Sequence, residues 1–564
     1  MPDKKDFKYY ILIIIVASLL FIPNIGNVHL FDWDEINFAE AAREMIVTGD
    51  YLTVRIDYQP FSEKPPIFIW LQAISMNIFG VNEFAARLPN ALIGIVSLIF
   101  IFNISRKIFD EKFGMIWVVT YLGSILPHFY FKSGIIDPLF NLFIFAGVYF
   151  LYRHFSDNTN FSNSRKIDRT LILSGLMISL AVLTKGPVGL LLPALCVLAF
   201  WFLGRKKLKF PLLKLMVLSI ISMIPFLVWK IVVIFNTADH QSLSDFILYQ
   251  IRLLTTADAG HGGPFYYHFV ILMIGCFPAS IFALRAFRTQ QDDNFNQSSF
   301  KLWNIILLSV VLIVFSIVET KIVHYSSLAY FPITFLGAYF AYSLIYRNNS
   351  WKSSSNWLIG IFGLIIASLF IIIPFVFKNV SSVLPYIKDK LTLELLKTNV
   401  YWSGYESLVG VAFLLILIDS VIHFFRKEFL KGYLVLFFGT AITLFLFMTI
   451  FVPKIEPYTQ GATVEFYEKL STQNVYFDAI GYKSYAPYFY GKMKLENSDL
   501  TIQRKYHQKR SDWLLKGAID KPAYFSAKIT SVDGIKRDYP DLIELYGKNG
   551  FVFFIRMPIT AVSN

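Results

Sequence analysis

Long apolar stretches separated by short polar ones dominate this chain. A membrane-crossing helix needs about 20 apolar residues, because each residue adds about 1.5 Å along the axis. Thirteen stretches meet or approach that length: 9–26, 83–105, 113–131, 134–152, 170–184, 187–203, 211–235, 266–287, 302–318, 324–346, 356–377, 406–425 and 429–451. The pattern changes after residue 451. There "NVYFDAI", "PAYFSAKI" and "GFVFFIRM" read as short buried strands, alternating with the helical stretches "GATVEFYEKLST", "SYAPYFYGK" and "SDWLLKGA". The expected architecture is a polytopic α-helical membrane protein over residues 1–451, followed by a small extracytoplasmic α/β domain over 452–564.

Loop charge orients the bundle. "MPDKKDFK", "SRKIFDEK", "GRKKLKF", "YRNNSWK" and "FRKEFLK" all carry Lys or Arg and alternate with loops that are not enriched in them, which assigns the basic set to the cytoplasm. The N-terminus then lies inside, and an odd number of spans puts the C-terminal domain outside. The first span is expected to stay as a helix, because no small-residue cleavage site follows it.

Composition agrees. Of 564 residues, 55% are hydrophobic and 16% charged, whereas a soluble domain carries about a quarter charged residues. The net charge of +13 follows the loops and is an orientation signal, so no nucleic-acid partner is implied. The two cysteines, Cys196 and Cys276, sit in apolar runs and offer neither a disulfide framework nor a thiolate metal site.

The polar investment lies on the outer face, most densely in the first outer loop, residues 27–82. In "HLFDWDEINFAEAAREM" an amphipathic helix is expected along the membrane interface, with Asp34 as its N-cap. On that reading Glu40 and Glu44 form a solvated face with Arg43. In "PFSEKPPIFIWLQ" a second short helix opens at Pro65 and Pro66, where proline is tolerated. Lys64 stands beside its N-terminus, a place suited to an anion such as a lipid phosphate.

The run from Asp32 to Gly94 resembles the start of the aminoarabinose transferase (ArnT)-like and protein O-mannosyltransferase-like glycosyltransferases. Further similarity lies in "SGIIDPLF", "LTKGPVGLLLP", "HGGPFYYH" and "TKIVHYSSLAYFP", and the later "IGYKSYAPYFYG" is closer to the aminoarabinose branch. The resemblance implies a GT-C fold and a polyprenyl-phosphate sugar donor. It assigns Asp34 and Asp137 to catalysis, and Lys64 to the donor phosphate. Lys321, Tyr325 and Pro332 match the motif near the lipid-phosphate pocket. Glu63 and His261 match a divalent-metal site, for Zn²⁺ or a similar ion, although sequence spacing alone gives no support for that ligand pair. Where the family often has a Pro-x-Tyr spacing this chain has "HYSSLAYFP", which weakens the transfer of Tyr325. His268 and His324 read as structural or interfacial.

These roles suit an inverting transfer at the outer face of a bacterial inner membrane. Cations stabilise the departing lipid phosphate, and a carboxylate orients or deprotonates a lipid, glycan or protein acceptor. A transporter or lipid flippase is the competing class. It would place ionisable residues near the bilayer midplane, whereas here charges crowd the outer loops; Lys230 is an exception expected to snorkel. The sugar and the acceptor stay open. The topology is directly testable: reporter fusions or cysteine labelling at residue 500 should report an extracytoplasmic position, and a cytoplasmic signal there overturns the orientation and the outer site together.

Overall fold

The computed structural model describes residues 4–558 apart from 62, 158–166, 204–210, 238–243, 245, 249–250, 253–255, 257–261 and 288–291. Each of the thirteen apolar stretches contains helix. Among the described residues, seven helical segments are long and apolar enough to cross a membrane, among them Glu83–Ile108, Leu212–Thr237 and Ser353–Lys378. Two of the others are broken for visible reasons. The stretch 113–131 divides into Glu111–Leu122 and Ile125–Tyr130. Gly123 at the break lies so close to the Phe437 carbonyl that an added Cβ would sit 2.3 Å from its oxygen. The stretch 266–287 divides at Cys276–Pro278 into Tyr267–Gly275 and Ala279–Ala283. Cys196 and Cys276 are free and buried, as expected. Lys230 departs from expectation: it does not snorkel but is buried, with its ammonium 5.1 Å from the Trp229 ring and 5.2 Å from that of Phe246.

The first helix, Lys4–Phe21, ends five residues before the expected boundary, and residues 22–31 leave it as irregular chain. What holds that chain is Arg87, near the start of Glu83–Ile108. Its guanidinium donates to the carbonyls of Ile25 (2.8 Å), Val28 (2.7 Å) and His29 (2.9 Å), and to both oxygens of Glu35 at 3.0 and 2.7 Å. Glu35 also accepts the amides of Phe31 and Gly134. Burial by itself would raise the Glu35 carboxyl, but the charge and hydrogen bonds of Arg87 outweigh it and hold the group below its ordinary range.

Residues 27–82 fold into the helix Asp34–Thr48, a two-stranded hairpin of Arg55–Ile56 and Gln59–Pro60, and the helix Ile67–Phe79. Asp57 and Tyr58 turn the hairpin in the left-handed region, at φ 55° and 60°, the conformation of a tight two-residue turn. Two expectations fail here. Asp34 is not a cap: Trp33 occupies that position and no side chain caps the helix. Nor do Glu40 and Glu44 face water, since both are 0% exposed. Glu40 takes a two-pronged bond from Arg43, at 2.7 Å on each oxygen, and Glu44 accepts the Tyr58 amide at 2.9 Å. Burial and the neighbouring Glu40 raise the Glu44 carboxyl well above its usual range. The covering surface comes from the far end of the chain: the Met493 carbonyl accepts from both Arg43 and Tyr58.

That far end is a mixed four-stranded sheet in the order Tyr476–Ile480, Ala523–Lys528, Phe551–Arg556, Ile543–Lys548. The first pair is parallel, and the others are antiparallel. In "FVFF" alternate residues serve different cores. Phe551 and Phe553 pack toward the helix Gly461–Leu470 and the membrane region, whereas Val552 and Phe554 join Trp513 and Leu514 on the opposite side. The edge strand Ile543–Lys548 was not expected from sequence. Arg510 ties the sheet to the outer loop: its guanidinium lies 3.1 Å from Asp478 and 3.5 Å from Asp57, and Asp499 accepts its amide. Burial lifts the Asp57 carboxyl to about 7, opposed by Arg510 and reinforced by Asp478.

Two outcomes follow from these buried charges. Arg87→Ala should cost roughly 3–5 kcal/mol by stranding Glu35, and Arg87→Met with Glu35→Gln should cost less than either single loss; thermal midpoints in detergent check both. Asp57 is raised in the folded chain, so its protonated form favours folding. Stability should therefore fall as pH rises from about 4 to about 7. Asp57→Asn should flatten that dependence by on the order of 4 kcal/mol, read as thermal midpoints across this range.

Candidate functional site

The chain ahead of Asp34 is fixed by backbone bonds. The Leu30 amide donates to the Tyr490 hydroxyl at 2.6 Å, the Asp32 amide to Gln460 at 3.1 Å, and the Trp33 indole to the Lys483 carbonyl at 3.0 Å. The Asp32 carboxylate accepts the Tyr485 amide. Its burial raises it to about 6, against the lowering effect of hydrogen bonds from Ser484 and Tyr485. With its neighbours committed on both sides, Asp34 turns a side chain that is 40% exposed toward His324, whose Nε2 lies 3.5 Å from Asp34 Oδ2.

His324 belongs to a short 3₁₀ turn, Val323–Ala329, that leads into the helix Tyr330–Tyr346. The turn is pinned from two sides. The Ser327 hydroxyl donates to the His324 carbonyl and meets Tyr130 Oη at 2.6 Å and Asn141 Nδ2 at 2.8 Å. Ser326 meets the buried His268 at 3.0 Å. The structural reading of His268 therefore holds, while His324 faces an acid.

Asp137 opens the helix Asp137–Asp157 and forms an ion pair with Lys185. Lys185 is the last residue of Arg169–Lys185, where Gly186, at φ +100°, turns the chain and Pro187 follows. A side chain at Gly186 would also collide with the Phe246 ring at 2.8 Å. The Lys185 ammonium lies 5.2 Å from the centre of the Tyr325 ring. Lys64, half-buried in the turn before Ile67–Phe79, joins Asp34, Asp137 and Lys185 in the electrostatic surroundings of His324. Five segments distant in sequence thus bring together two acids, two lysines, an imidazole and a phenol.

Some expected residues stand elsewhere. Lys321 is buried, and its ammonium donates to the carbonyls of Phe315 (3.0 Å), Ser316 (2.7 Å) and Val318, closing the end of the helix Phe295–Ile317. Pro332 is buried within Tyr330–Tyr346. Glu63 is half-buried, and His261 lies outside the described residues. Among the described residues no group of three His, Cys, Asp or Glu side chains is placed to hold a metal.

Lys185 and His324 are the residues that reading the sequence left without a role. Both had a signal. Lys185 is a charge ending an apolar run directly before Gly-Pro, and His324 sits between Lys321 and Tyr325 in the same motif.

Comparison with known proteins bears on the fold and on what the chain is similar to. A family model described as dolichyl-phosphate-mannose-protein mannosyltransferase matches residues 63–229. An undecaprenyl phosphate-alpha-4-amino-4-deoxy-L-arabinose arabinosyl transferase from Edwardsiella ictaluri is 27% identical over 278 residues, 49% of each chain. One from Pectobacterium atrosepticum is 25% identical over 370 residues, 63% of this chain and 64% of that protein. The match therefore spans from about half to just under two thirds of these relatives. The crystal structure of ArnT from Cupriavidus metallidurans bound to undecaprenyl phosphate superposes with a TM-score of 0.70, covering 99% of both chains at 16% identity. The same protein in its apo state gives 0.72 over 98% of both at 16% identity. The chain shares the fold of these ArnT structures, a GT-C fold.

Proposed function

We propose that this chain is an integral-membrane glycosyltransferase that moves a sugar from a polyprenyl-phosphate donor, of the undecaprenyl-phosphate type, to an acceptor at the outer face of a bacterial inner membrane. The observation that carries the reading is the convergence of Asp34, His324, Lys64 and the Asp137–Lys185 pair beside an apolar bundle. The names of the curated relatives support the donor class. The acceptor is a lipid A-like glycolipid, another glycan or a protein. In this orientation the N-terminus is cytoplasmic and the domain after residue 451 is periplasmic.

The chemistry follows from the charges. An acceptor hydroxyl attacks the anomeric carbon as the bond from that carbon to the phosphate oxygen breaks, with inversion. The hydroxyl proton passes to the Asp34 carboxylate, and the bonding electrons leave on the phosphate. Lys64 meets that developing charge, and the remaining phosphate oxygens lie toward Lys185 and Tyr325. Preorganised cations in a site with little water are effective because nothing has to reorient during the reaction. Lys321, committed to a helix end, contributes by holding the segment that carries His324 and Tyr325.

Asp34→Asn should lower turnover by about 10² to 10⁴ with the protein still folded, and Lys64→Ala by about 10². Glu40→Gln should act differently, lowering the thermal midpoint because it breaks the buried pair with Arg43. The measurement is release of undecaprenyl phosphate from undecaprenyl-phosphate-linked aminoarabinose and undecaprenyl-phosphate-linked mannose, with cell-envelope lipid as acceptor. Intact donor crossing a vesicle membrane with no release would replace this reading with a flippase.

A further inference from the structure

We propose that His324 is the positioning residue for Asp34: its Nε2–H donates to Asp34 Oδ2 and leaves Oδ1 aimed at the acceptor hydroxyl. This rests on the transfer reading above and adds to it a role for a side chain outside the expected set. The geometry supports it in three ways. The two groups are 3.5 Å apart, within a small side-chain adjustment of a hydrogen bond. The imidazole is held by a backbone turn fixed through Ser327, Tyr130 and Asn141 on one side and through Ser326 and His268 on the other. Asp34 has use for such a partner because its carboxylate does not cap the start of its own helix.

An exposed carboxylate rotates freely about its terminal torsion, and only part of that motion presents an oxygen usefully to an acceptor. A donor on one oxygen restricts the rotation, in the way a third group orients the base of a catalytic triad. The proton count is simple. The acceptor loses its hydroxyl proton to Asp34 Oδ1, and His324 keeps its own proton throughout. His324 therefore touches neither sugar nor phosphate. The charged groups that face it are Asp34, Asp137, Lys185 and Lys64, and the Tyr325 ring stands 5.4 Å away, edge on.

The test compares His324→Leu with His324→Gln, whose amide N–H reaches the same place as Nε2–H. It uses undecaprenyl-phosphate-linked aminoarabinose, or mannose if the wild type prefers it. His324→Leu should lower kcat by about 10- to 10²-fold, the scale on which a misplaced reacting group slows an enzyme. The KM for the donor should stay within about 2-fold. His324→Gln should recover kcat to within about 5-fold of wild type. A hydrogen bond to an ionised carboxylate favours the ionised form, so the acid limb of the pH–rate profile should move to higher pH in the Leu variant and not in the Gln variant. In an Asp34→Asn background, His324→Leu should add less than about 2-fold, since the two residues act as one unit. The double variant also covers the case in which His324→Leu alone folds poorly. Equal losses in Leu and Gln, a change confined to KM, or losses that multiply in the double variant overturn the positioning role. Unaltered turnover in Asp34→Asn also overturns the positioning role, because Asp34 is then not the base, whereas only a wild type that releases no undecaprenyl phosphate overturns the transfer reading, so the two failures are distinguishable.

Discussion

The site depends on one buried ion pair. Removing a guanidinium and a carboxylate from water is costly, and the cost is met only when every hydrogen-bonding position is filled. Arg87 and Glu35 achieve this by recruiting five backbone groups, from Ile25, Val28, His29, Phe31 and Gly134. Those recruits are what give the outer loop its shape. Glu35 is adjacent to Asp34, and Gly134 is three residues before Asp137. A single charge pair at the mouth of one helix therefore sets the place of both acids expected to work on the substrate.

A second layer of pairing keeps the acids distinct. Asp137 is buried and already matched by Lys185, so its charge serves mainly to hold a cation. Asp34 stays partly exposed and meets the imidazole of His324. Two carboxylates of the same intrinsic chemistry are thus separated by surroundings, one satisfied and one available, which is how a site divides labour among identical groups.

The membrane helices were legible because an apolar run of about 20 residues has few alternatives. Their breaks were less so, since Gly123 depends on where Phe437 passes. The C-terminal strands showed through "YFDAI" and "FVFF", but Ile543–Lys548 is exposed along its whole length and carries no buried-strand pattern; only the Asn549–Gly550 turn after it hinted at a hairpin. The acids and Lys64 could be picked out from the first loop and the family likeness. Their partners could not. Glu40 and Glu44 sit on what periodicity marks as a wet face, and they are covered by Met493, about 450 residues away in sequence. His324 and Lys185 stand out locally, one in the motif with Tyr325 and the other before Gly-Pro, but they acquire their roles through residues in other segments.

The bonds from Leu30, Asp32, Trp33 and Arg43 to residues 460–493 bear on how the protein is made. The segment holding Asp34 leaves the ribosome early, yet its fastenings are synthesised more than 400 residues later. At roughly 5–20 residues per second, that loop spends about 20 to 90 seconds in place without them. A chain halted after its last membrane helix would be inserted in the bilayer and still lack the bonds that fasten the segment around Asp34. The segment that carries Asp34 is thus completed by a part of the chain made long after it.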